Sequence, residues 1–165
     1  MSSAAQKATL APDPDNKTGA VAVLAVASGD ELYGFPLASV REILVPPPLT
    51  EVPRAPTPVL GVITVRGQII TTVDLPGLLN LHIVQRTPCG RVLLVDAGEE
   101  LIGVAVDQVI QVYRLEPSQI EYASAMGTEL SDYVLGVGRV ASPATPHPGD
   151  MLILIDPIAL LGRFQ

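Results

Sequence analysis

Short apolar runs separated by turn residues fill most of this chain. Val21–Ala27 is continuously apolar and predicts a buried strand, and Ser28-Gly29-Asp30 turns it into a second, Glu31–Leu37. After a brief turn at Ala38-Ser39, Val40–Val45 continues as strand. Pro46-Pro47-Pro48 ends that strand, because three ring-locked residues supply no N–H to a ladder. Leu49–Pro58 is an extended linker. Two runs rich in Val, Ile and Thr, Val59–Val65 and Gln68–Val73, then flank Arg66-Gly67, which predicts a hairpin whose glycine takes the positive φ of a tight turn. Asp74 stops the second run and caps a short helical turn over Leu75–Leu79. Val92–Val95 and Glu100–Val106 predict another pair of strands around Ala97-Gly98-Glu99, and Val134–Val137 and Met151–Ile155 predict a last pair.

The pattern is written twice. Shifted by 69 positions, Val23, Leu24, Val26, Gly29, Glu31, Leu32, Gly34 and Val40 fall on Val92, Leu93, Val95, Gly98, Glu100, Leu101, Gly103 and Val109. Val134-Leu135-Gly136-Val137 repeats Val59-Leu60-Gly61-Val62, and Met151–Asp156 parallels Ile69–Asp74. The copies differ at the last turn, where the second has the loop Ala141–Gly149 in place of Arg66-Gly67. Two units of one supersecondary plan follow, about 20–83 and 90–161, each with about five short strands that close naturally into a small barrel.

Composition supports an all-β reading. Of 165 residues, 16 are Pro and 14 Gly, which demands many turns, and with 4% aromatics and no Trp the core must be Val, Ile, Leu and Ala. Met1–Gly19 is poor in large apolar groups and is expected to be a flexible tail. The N-terminus has no apolar signal core and the longest apolar run is far too short for a bilayer, so the expectation is a soluble cytoplasmic protein. A formal charge of −7 argues against nucleic acid and against anionic membrane as partners.

Chemistry-bearing residues are sparse. His82 and His147 lack a second ligand at metal spacing, so no metal or cofactor is expected. Cys89 lies in the turn Pro88-Cys89-Gly90 with no histidine patterned beside it. Asp74 and Asp156 occupy equivalent ends of the two units and read as helix caps rather than a catalytic carboxylate pair. Gly136-Val137-Gly138 lacks the third glycine of a dinucleotide fingerprint. No enzyme is indicated. Arg66, at the tip of an apolar hairpin, is the residue to watch. Pairing with Glu42 on the strand before the linker would orient its guanidinium and present a planar set of donors.

These residues resemble a known family. Val40-Arg41-Glu42-Ile43, Val52-Pro53, Pro58, Gly61–Ile70 with its Arg66-Gly67, and Val73-Asp74-Leu75 are similar to the CheW-like coupling domain of bacterial chemosensory systems. Gly103–Val109, Leu135-Gly136-Val137 and Leu152–Asp156 continue the resemblance to about Leu161. Thr64-Val65 replaces the Asn-Leu frequent before the family's Arg-Gly. The resemblance implies two small SH3-like β-barrel subdomains and a non-enzymatic adaptor. Its implied partners are the regulatory domain of a CheA-type histidine kinase and the cytoplasmic tip of methyl-accepting chemoreceptors. The implied contact residues are Val40, Glu42, Gly61, Arg66, Gly67 and Val112, with Val40 and Val112 in an apolar receptor groove between the halves. Two alternatives stay open at this point: a paralogue serving twitching, gliding or another non-flagellar output, and a free-standing SH3-like scaffold for peptides.

Overall fold

The computed structural model describes residues 19–29, 31–56, 58–78, 90–122, 133–140 and 151–162. The tail over 1–18, the connector carrying His82 and Cys89, and the loop carrying His147 lie outside the described residues. Eleven strands form: β1 Val21–Ser28, β2 Glu31–Pro36, β3 Val40–Leu44, β4 Val59–Val65, β5 Gln68–Asp74, β6 Arg91–Asp96, β7 Leu101–Val106, β8 Gln108–Leu115, β9 Ile120–Tyr122, β10 Val134–Arg139 and β11 Met151–Ile155. Among the described residues, helical structure is confined to α1 Leu75–Leu78, α2 Pro157–Leu161 and two 3-10 turns, Leu37–Ser39 and Pro117–Gln119. No helix among the described residues is long and apolar enough to cross a membrane.

The strands make two sheets. The first has the order β8-β1-β2-β11-β10-β9 and the second β3-β6-β7-β5-β4. The repeats are legible in these orders. Parallel pairing puts Gly34 beside Leu154 in the first sheet and Gly103 beside Thr72 in the second, the same register once the repeat shifts are applied. Each repeat's opening hairpin, however, is built into the middle of a sheet whose other strands come from the other repeat: β1-β2 lies between β8 and β11, and β6-β7 between β3 and β5. The boundaries 20–83 and 90–161 therefore mark units of sequence, not of structure. The second sheet uses one continuous stretch, 40–106, and the first is assembled from the chain on either side of it. Sequence units and sheets part company because a hairpin buried on both faces can insert between any two strands that offer matching edges.

Three apolar clusters explain why β1 and β6 are unbroken apolar runs. One side of the first sheet packs Val21, Val23, Ala25, Leu115, Leu152 and Leu154 together. One side of the second packs Ile63, Ile70, Val92 and Leu94. The remaining faces meet in a shared cluster that includes Leu24, Val26, Phe35, Leu93, Val95, Val104 and Ile155. Successive residues along a strand point to opposite faces, so β1 and β6 each feed two clusters. Both sheets remain open in their hydrogen bonding, yet they curl. Gly138 of β10 lies against Leu115 of β8, close enough that a methyl group at Gly138 would strike the leucine.

Asp156 is wholly buried and caps α2, its Oδ1 accepting from the N–H groups of Ile158 (3.1 Å) and Ala159 (3.2 Å). Asp74 plays the matching part at α1, where its Oδ2 accepts from Gly77 N–H at 3.2 Å. Both aspartates are thus structural, as the helix-cap reading expects.

Thr72 stands in the second sheet where the first has Leu154, and its buried Oγ1 has no hydrogen-bond partner among the described residues. A buried hydroxyl without a partner retains its desolvation penalty, about 1–3 kcal/mol. Thr72→Val should therefore raise the unfolding free energy by about 1 kcal/mol, measured as a higher denaturant midpoint at unchanged slope. A lower midpoint would show that the hydroxyl finds a partner in solution.

Burial, aided by Glu31 and Tyr133, pushes the Tyr33 hydroxyl up to about 12. In the unfolded chain the same group ionises near pH 10. A group whose folded pKa is raised contributes stability below its unfolded pKa and loses it as pH rises through the folded one. Between pH 10 and 12 the native chain should thus lose stability relative to Tyr33→Phe, by about 1–2 kcal/mol once solvent screening of the hydroxyl is allowed for. Parallel stability curves for the two proteins over that window would contradict this.

Candidate functional site

The site is built on the β4-β5 hairpin. Val65 pairs with Gln68, which leaves Arg66-Gly67 as a two-residue loop. Both loop residues have positive φ, 48° at Arg66 and 82° at Gly67. The sequence assigned that conformation to the glycine alone. Positive φ at both positions is the type I′ form of a two-residue hairpin loop, whose twist matches that of the strands. For an arginine the left-handed region costs about 1–3 kcal/mol.

Glu42 of β3 meets this arginine. Arg66 Nη2 lies 2.6 Å from Glu42 Oε1 and Nη1 lies 3.3 Å from Oε2, a two-pronged pair. β3 and β4 are opposite edges of the second sheet, so the pair spans the open side and shows how far the sheet curls. The hydrogen bond from Arg66 holds the Glu42 carboxyl below its ordinary pKa, and Glu42 in turn raises that of Arg66. Both groups stay charged through the physiological range. The arginine side chain is 72% exposed, so the pair fixes orientation far more than it stabilises the fold.

Gly61, also on β4, is buried and stands under the linker. Thr50 and Val62 exchange two backbone hydrogen bonds there, at 2.9 and 2.8 Å. A Cβ at Gly61 would overlap the Thr50 carbonyl oxygen. Val40 opens β3, is half-buried, and packs on the shared cluster between the sheets. Val112 lies on β8 opposite Leu24 and is 44% exposed. The structure thus brings Glu42, Arg66 and Gly67 into one place and sets Val40 on the strand that carries Glu42. Gly61 lies inside the hairpin's support, and Val112 belongs to the other sheet.

Two features were missed from sequence. Ile43 faces Leu93 from the outer edge of β3 just as Val112 faces Leu24 from β8, and both are equally exposed. The 69-residue shift maps one on the other and was the available signal. The second is Arg41, whose Nη2 donates to Asp96 Oδ2 at 2.6 Å while Asp96 Oδ1 accepts from Gly98 N–H. The Arg41 bond, reinforced by Gly98, keeps the Asp96 carboxyl below the usual carboxylate range. It fastens β3 to the β6-β7 turn.

Among the described residues no three His, Cys, Asp or Glu side chains converge as a metal site requires. What the site offers is an oriented guanidinium at a hairpin tip with apolar side chains around it, which is equipment for contact with another protein.

The sequence model of the CheW-like domain matches residues 22–165. The chain is 30% identical over 132 residues to the chemotaxis protein CheW of Klebsiella aerogenes, covering 78% of this chain and 74% of that one. It is 29% identical over 109 residues to the protein FrzA of Myxococcus xanthus, covering 66% and 68%. The crystal structure of the scaffolding protein TtCheW from Thermoanaerobacter tengcongensis superposes with a TM-score of 0.70 at 24% identity, covering 81% of this chain and 87% of that one, which supports the same fold. With a family match spanning nearly the whole chain and the fold shared, the protein belongs to the family of CheW-like domains, adaptors of chemosensory signalling.

Proposed function

We propose that this protein couples the cytoplasmic tips of chemoreceptors to the regulatory domain of a CheA-type histidine kinase, acting by binding and without chemistry of its own. It works at the cytoplasmic face of membrane-associated receptor arrays. The observation that carries this reading is the Arg66–Glu42 pair, a charged group held in a strained turn and aimed outward. Val40, Glu42, Arg66, Gly67 and Val112 form the contact set, and Gly61 keeps the hairpin seated.

The test is receptor-stimulated autophosphorylation in a reconstituted mixture, with melting temperature as the fold control. Arg66→Glu should leave melting almost unchanged and suppress stimulation, since an interfacial charge whose partner loses its mate is worth about 2–5 kcal/mol. Arg66→Lys should rescue only in part, because an ammonium lacks the planar fork. Arg66→Asn should melt no lower than the native protein, asparagine tolerating positive φ, and should still fail to stimulate. Val112→Asp should share the defect from the other sheet. Full stimulation by a stable Arg66→Glu protein would remove Arg66 from the contact set.

A further inference from the structure

The duplication allows one sheet edge to be read against its twin. In the first sheet the outer edge of β10 is covered by β9, with Ile120, Glu121 and Tyr122 pairing with Gly138, Val137 and Gly136. Just beyond them the Gln119 side chain donates to the Arg139 carbonyl at 3.1 Å, and Arg139 and Glu121 lie 3.6 Å apart as an ion pair. In the second sheet the matching edge belongs to β4, and among the described residues only Thr50 pairs with it, at Val62. The repeat register sets Thr64 against Arg139. Val62 turns its N–H and C=O outward to Thr50, and alternate residues of a strand point the same way, so Thr64 turns both groups outward as well. None of the described residues completes this edge at Thr64. The residue that would continue the line of Thr50 opposite Thr64 is Pro48, which has no N–H to give.

We propose that the β4 edge at Thr64 is a docking site for an extended acidic peptide segment of a partner, which adds there as an antiparallel strand. Main-chain hydrogen bonds to Thr64 supply the attachment, as in other cases of strand addition. The chemistry of the occupant is indicated from two sides. β9, which fills the twin edge, places Glu121 between Ile120 and Tyr122 and sets it against Arg139. At the open edge the arginine is Arg66, two residues beyond Thr64; Glu42 takes two of its five N–H donors and leaves the guanidinium largely exposed with the others to give. Ile69, which pairs with Thr64 across the hairpin, is 72% exposed and offers an apolar contact. This site shares Arg66 with the contact set proposed above, but its main-chain attachment at Thr64 does not depend on that reading.

The test uses the strand that covers the twin edge as its probe. A capped synthetic pentapeptide of sequence Ser-Gln-Ile-Glu-Tyr is titrated into the full-length isotope-labelled protein, and amide resonances are followed. Saturable shifts are expected at Thr64, Arg66, Gly67 and Ile69. Methylating the backbone nitrogens of the peptide's Ile and Glu should weaken binding at least ~10-fold, since a strand without N–H groups cannot pair. Arg66→Gln should weaken it while leaving the spectrum well dispersed. Equal binding of the methylated peptide, no shift at Thr64 up to the solubility limit, or shifts centred on Arg139 and β9 would each overturn the proposal.

Discussion

Neither half of this chain should fold without the other. Expressed as separate pieces divided within 79–89, the first would carry β1–β5 and the second β6–β11. The first would hold β1-β2 without β8 and β11 on either side of them, and the second would hold β6-β7 without β3 and β5. Each piece would expose the faces that meet in the shared cluster. Chains of this length bury only about 60% of their unfolded surface even when complete, so the loss is decisive. Circular dichroism and amide exchange should show two unstructured fragments. Mixed in equal amounts they should regain strand structure and cooperative melting, because every interior contact except the connector is then available. A first fragment that melted cooperatively alone would show that the hairpins do not need their hosts.

Phe35→Ala should be among the most damaging single substitutions. Phe35 is fully buried on β2 and belongs to the cluster shared by both sheets, beside Leu93, Val95, Val104 and Ile155. Removing a buried phenylalanine side chain typically costs about 3–5 kcal/mol, transfer and cavity together. That is much of the total stability of a domain of this size, about 5–15 kcal/mol. The chain has only two phenylalanines and no tryptophan, so few large side chains are at hand to close the gap. Urea denaturation should show a midpoint shift of that size. Phe35→Leu, which keeps most of the volume, should recover more than half of it. Equal loss from both substitutions would mean that the aromatic ring has a role beyond filling space.

The strands were legible because β1 and β6 are unbroken apolar runs and because glycines and prolines mark the turns between elements. The internal repeat was legible as well, and it correctly paired Asp74 with Asp156 as caps. The partnership of strands was not. A hairpin with two apolar faces has the same sequence whichever strands flank it, so nothing in Val21–Pro36 says that its neighbours are β8 and β11. β8 and β9 escaped notice: Gln108, Gln111 and Arg114 break up the apolar pattern of the first, and the three residues of the second, after a proline-led turn, are too few to show a period. At the site, a link between Glu42 and Arg66 could be anticipated from charge and position. The left-handed backbone at Arg66 could not, since arginine carries no local signal for it and the turn geometry demands it only once Val65 and Gln68 are paired.

The uninterrupted stretch 40–106 gives the molecule an order of failure under tension. Both described ends of the chain are fastened in the first sheet, the N-terminal one through β1 and the C-terminal one through β11. Force applied at those ends acts first on the pairing of β1-β2 with β8 and β11, while the second sheet, spliced between the Leu37–Ser39 turn and Asp107, carries no main-chain tension until that pairing parts. A single molecule stretched by its ends should therefore yield in two steps. The first releases the segments outside 40–106, and the second pulls out the sheet that carries Arg66 and Glu42.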